Sequence, residues 1–95
     1  MEELLREYGS PLKLVVDSHI AKLPEYGTII EETERKERVL SFSADLNAAS
    51  DKKVREIFKR YTDDDFKREL QLKMLGVSNE YYHMYQGELA AFKSS

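Results

Sequence analysis

From Leu12 onward the apolar positions recur at helical spacing. Leu12, Val15, Val16, Ile20 and Leu23 share one face at about 100° per residue. A strand reading of the same stretch (Leu12, Leu14, Val16, Ile20) breaks at Ser18. The pattern predicts a helix with Ser10 as its N-cap and Pro11 at the first helical position, where a missing N–H costs nothing. Residues 2–8 favour a separate short helix, which Gly9 would end in a left-handed conformation. Pro24 and Gly27 close the segment.

Between residues 28 and 46 the period changes. Leu40, Phe42, Ala44 and Leu46 alternate with Ser41, Ser43 and Asp45, as expected of a half-buried strand. Thr28-Ile29-Ile30 suits a partner strand, so a β-hairpin is expected here, turning through Glu34-Arg35-Lys36-Glu37. That link lacks the Asn-Gly or Asp-Gly signal of a tight hairpin. A helix competes for the same residues: Thr28-x-x-Glu31 matches a capping box, and Glu31 to Arg38 is strongly helix-forming. Such a helix would present almost nothing apolar between Ile30 and Val39, and on that ground the hairpin is preferred.

The remainder predicts three helices. Val54, Ile57, Phe58 and Tyr61 form one stripe, with Ser50 as N-cap. Thr62 caps the next helix, whose first turn holds Asp63, Asp64 and Asp65, where the helix dipole favours negative charge. Gly76 ends it. Ser78 caps the last, which carries Tyr81, Tyr85, Leu89 and Phe92 on one face and is weakened by Gly87. The expected fold is a single α+β, helix-rich domain over residues 1–95. An N-terminal helix or helices and one β-hairpin fill 2–46, a three-helix C-terminal unit fills 50–92, and 93–95 form a frayed tail. An all-α fold is the alternative.

Composition narrows the chemistry. The chain has 95 residues, enough for one domain, and its 41% hydrophobic content is too high for a disordered chain. It has no Cys, which removes disulfides, thiolate metal sites and Cys nucleophiles. Met1-Glu2-Glu3-Leu4-Leu5 is no secretory leader, and no apolar run approaches the roughly 20 residues needed to span a bilayer. A cytoplasmic location is expected. The net charge of −3 is carried by the first half, where ten acidic residues face six basic ones. That balance disfavours non-specific binding to nucleic acid.

Candidate catalytic chemistry is sparse. His19 falls on the apolar face with Val15, Val16 and Leu23, as a hydrogen-bonded core histidine would. His83 lies opposite Tyr81 and Tyr85 and should be exposed. Neither makes an H-x-x-x-H pair, and three consecutive Asp on a helix point in three directions, so no metal site is expected. There is no G-x-S-x-G elbow and no glycine-rich phosphate loop. Neither a cofactor nor an enzymatic activity is expected.

Two surfaces stand out. The stretch Met74-Leu75-Gly76-Val77-Ser78 resembles the turn of helix-turn-helix DNA-binding proteins, in which the glycine closes the first helix, the Val packs inside and the Ser caps the recognition helix. The resemblance covers about one-fifth of the chain. It implies that Asn79, Tyr82, His83 and Gln86 face bases, with Lys52, Lys59 and Arg60 on phosphates. The sequence departs from that family at Leu72, where a small residue is usual, and the would-be recognition helix has no Arg. The second surface is an apolar face left over on the helix that carries Phe66, Leu70 and Met74. Leu72 and Leu75 fall on its other side, and Met84 and Tyr82 add residue types enriched at interfaces. The leading expectation is therefore a non-catalytic protein-binding module (a small regulator, adaptor or inhibitor) acting through Leu72, Leu75, Met84 and Tyr82. Its partner is another protein or a second copy in a homodimer. A helix-turn-helix regulator is the alternative.

Overall fold

The computed structural model describes residues 1–27 and 29–94. Three long helices dominate it: α1 (Glu2–Lys22), α2 (Glu32–Phe58) and α3 (Asp64–Ala90). A 3-10 turn, Leu23–Tyr26, follows α1. Two short strands, β1 (Ile29–Ile30) and β2 (Lys93–Ser94), pair in parallel with Ile29 opposite Lys93. The architecture is therefore helix-rich and nearly all-α, the alternative rather than the first expectation.

Each helix exists because one face repeats apolar residues every three or four positions. On α1 these are Tyr8, Leu12, Val16 and His19. On α2 they are Phe42, Leu46 and Ile57, and on α3 Leu70, Met74, Tyr85 and Leu89. Apart from the polar His19, these residues form one buried cluster with Leu23 and Ile30, and Val39, Ala49, Val77 and Tyr81 pack against it. Phe42 and Tyr85 stack at its centre, with ring centroids 4.0 Å apart and planes 14° apart. Such an aromatic pair adds about 0.5–1.5 kcal/mol beyond its buried area.

Several expected boundaries move. Residues 40–46 are helix: Val39, Phe42, Leu46 and Ala49 follow a helical repeat inward, while Leu40 and Ala44 of the expected strand face outward, Leu40 70% exposed. The hairpin is thus absent, and Ile29–Ile30 pairs with the tail at Lys93–Ser94 instead. Thr28, from both the strand and the capping-box readings, and Ser95 of the expected tail lie outside the described residues. Ser50 starts no helix, so the expected division between 2–46 and 50–92 is crossed by α2. Its hydroxyl instead meets the Tyr8 hydroxyl at 2.6 Å.

Neither Gly9 nor Gly76 ends a helix. At Gly9 the two expected helices are one, with Pro11 inside it, and Ser10 Oγ donates to the Arg6 carbonyl. Gly9 is buried against α3, where an added Cβ would meet Tyr81 Oη at 3.5 Å. The real break lies at Gly27, whose φ of 70° is open to glycine and strained for other residues. The α3 cap sits one residue later than expected: Asp63 Oδ1 accepts from the amides of Asp65 at 2.9 Å and Phe66 at 3.3 Å.

The bundle runs up, down and up, because Tyr8 of α1 meets Ser50 and His19 meets Asp45 of α2, while Phe42 meets Tyr85 of α3. It measures 50 × 19 × 17 Å. Contacts between α2 and α3 are sparser than those either makes with α1. Thus α1 acts as a wedge that holds the other two helices apart on the far side.

Candidate interaction surface on the third helix

On that far side a groove of about 350 Å³ runs between α2 and α3. Buried Tyr8 and Met74 line it, with Ser50 and Val54 on the α2 wall and Leu72 and Leu75 on the α3 wall. Asp51 and Arg68 add opposite charges to the two walls. The α3 rim of the groove follows from the sequence of that helix: Leu70 and Met74 turn inward, which sends Leu72 and Leu75 out, 67% and 58% exposed. Leaving two leucines of one helix this open forgoes roughly 1–2 kcal/mol of burial for each.

The four expected partner-binding residues are not one patch. Leu72 and Leu75 lie side by side at the groove. Met84 is 51% exposed but takes no part in lining that groove. Tyr82 is half-buried: its ring lies 6.0 Å from Phe42, and its hydroxyl accepts from Gln86 Nε2 at 3.0 Å. It therefore belongs partly to the core.

The residues of the helix-turn-helix alternative are also dispersed. Leu75-Gly76-Val77-Ser78 lies in mid-helix, so the turn that carried the resemblance is absent and Ser78 caps nothing. Asn79, His83 and Gln86 are exposed on the half of α3 level with Phe42. Lys52 and Lys59 are exposed nearer the other end of α2. Arg60 is engaged with Glu7 of α1 through two bonds, at 2.9 and 2.6 Å, which hold the Glu7 carboxyl below its ordinary range. Lys53 is likewise tied to Glu56 at 2.9 Å.

His19 is a core histidine, 5% exposed, and its Nε2 lies 2.8 Å from Asp45 Oδ2. Phe42 and Tyr85 meet its ring edge-on. With Nε2–H donating to the carboxylate, Nδ1 is left buried with no hydrogen-bond partner among the described residues. Among the described residues no group of three or more His, Asp or Glu is placed to hold a metal ion, and no helix is long and apolar enough to cross a membrane.

Sequence reasoning missed the α2 wall of the groove, because a helix begun at Ser50 separates Asn47 from Asp51 and Val54. The signal that finds it is the inward repeat Val39, Phe42, Leu46, Ala49, which leaves Leu40, Asn47 and Val54 along another line. Searches of protein-family models, of curated proteins and of solved structures find no match for this chain.

Proposed function

We propose that the chain is a non-catalytic protein-binding module whose docking surface is the Leu72–Leu75 face of α3 and the groove beside it. One observation carries this reading: two adjacent leucines stay more than half exposed on the rim of an apolar-floored groove, in a chain that buries its other α3 anchors almost completely. Exposed apolar surface flanked by polar side chains marks interaction sites in soluble domains.

The test is site-specific crosslinking in the cells that make the protein. A photo-reactive residue at position 79, one turn beyond Leu75, is expected to yield covalent adducts, whereas one at position 21, exposed on α1, yields none. Leu72→Asp with Leu75→Asp should cut the adduct yield at least about tenfold. Stability should change by no more than about 0.5 kcal/mol, because both side chains face solvent. Equal adducts from both positions, or none from position 79, would reject the reading.

A further inference from the structure

Resting on that reading, we propose that the occupant of the α3 face is a second copy of this chain, packed antiparallel along α3 about a two-fold axis beside Gly76.

The first observation is Gly76 itself. It lies in mid-helix, is exposed, and an added Cβ there would meet nothing within 4 Å. Nothing inside the chain calls for glycine, and glycine weakens a helix relative to alanine. A glycine on an open helix face lets another backbone come close.

The second observation is the charge pattern around it. Lys73 stands about one turn before Gly76 and Glu80 about one turn after, on the same flank at about 100° per residue. Glu69 and His83 stand about two turns to either side. A two-fold antiparallel pair sets residues equidistant from its axis against each other. Lys73 then faces the second copy's Glu80, and Glu69 faces its His83, each contact occurring twice. Parallel packing would set Lys73 against Lys73 and Glu80 against Glu80, which repels. All four residues are exposed, and among the described residues Glu69, Lys73 and Glu80 form no ion pair within the chain. On the opposite flank Leu75 approaches its own copy. Leu72, about one turn before the axis, is set against the second copy's Asn79, about one turn after it, while the two Gly76 positions meet at the axis and let the backbones approach.

The test is sedimentation equilibrium of the full chain over a concentration series, with circular dichroism on every variant. The wild type is expected to be in a monomer–dimer equilibrium. Gly76→Leu should raise the dissociation constant at least about tenfold while keeping or increasing helicity, since the new side chain has open space within the monomer. Lys73→Glu or Glu80→Lys alone should weaken the dimer about three- to tenfold, and the two together should restore it. A monomer at every concentration overturns the proposal, as does a dimer indifferent to Gly76→Leu and to both charge reversals. The crosslinking experiment separates the two readings. A monomer that still captures another protein from position 79 overturns self-pairing and leaves the binding module standing, whereas a monomer that captures nothing overturns both.

Discussion

Tyr8 and Tyr85 are buried to the same degree, yet their hydroxyls differ. The Tyr8 hydroxyl bonds Ser50 at 2.6 Å; the Tyr85 hydroxyl is buried with no hydrogen-bond partner among the described residues, and burial pushes its phenol above the ordinary range. Tyr8→Phe should therefore cost about 0.5–1.5 kcal/mol, whereas Tyr85→Phe should be neutral or stabilising because it removes an uncompensated polar group. Urea denaturation midpoints of the two variants check this, and a destabilised Tyr85→Phe would contradict it. Glu7 supplies a pH test. Arg60 depresses its carboxyl below the ordinary range, so its contribution is present above the unfolded-state pKa and is lost as pH falls through the lower folded-state value. The melting-temperature gap between wild type and Glu7→Gln should be present at neutral pH and close on acidification; a gap that widens in acid would show the opposite linkage. The core role of His19 could be read from its helical position. Its partner Asp45 could not, since the pair joins two helices and the sequence pattern concerns one at a time.

At the scale of elements, the apolar periodicity found helix in α1, in the last third of α2 and in α3, but split α1 and α3 in two and read the start of α2 as a hairpin. Gly9 and Gly76 look like breaks and Gly87 like a weak point, yet burial on one face carries α1 and α3 through them: tertiary packing outweighs about 1 kcal/mol of propensity at each glycine. The alternation from Leu40 to Leu46 misled for a related reason. Two of its four apolar residues, Phe42 and Leu46, are also one helical turn apart, and only that pair is buried. The tail could not be read locally at all, because β2 pairs with β1 across the length of two helices. Arg35 fixes that pairing. From the first turns of α2 its guanidinium donates to the carbonyl of Leu89 at 2.9 Å and to that of Phe92, satisfying acceptors at the end of α3. Arg35→Ala should cost about 1.5–3 kcal/mol, the range for hydrogen bonds to a charged donor. Amides of β1 and β2 should then exchange with solvent faster. Arg35→Lys should recover only part of the loss, because an ammonium cannot reproduce the fork. Unchanged exchange in Arg35→Ala would show that Arg35 does not hold the strand pair.

For the molecule as a whole, the apolar pattern indicated a helix-rich fold, and the exposure of Leu72 and Leu75 followed from the α3 wheel. The groove beside them was invisible in the sequence. It depends on α1 touching α2 and α3 more extensively than they touch each other. No periodicity within one helix reports how far apart two others stand.

The wedge has a kinetic consequence. Sequence neighbours α2 and α3 share too little contact to form a durable hairpin by themselves, whereas neighbours α1 and α2 share much more. The α1–α2 hairpin is therefore the local nucleus, and α3 joins it through meetings such as Gly9 with Tyr81. Only that last step closes a long loop and carries its entropy cost.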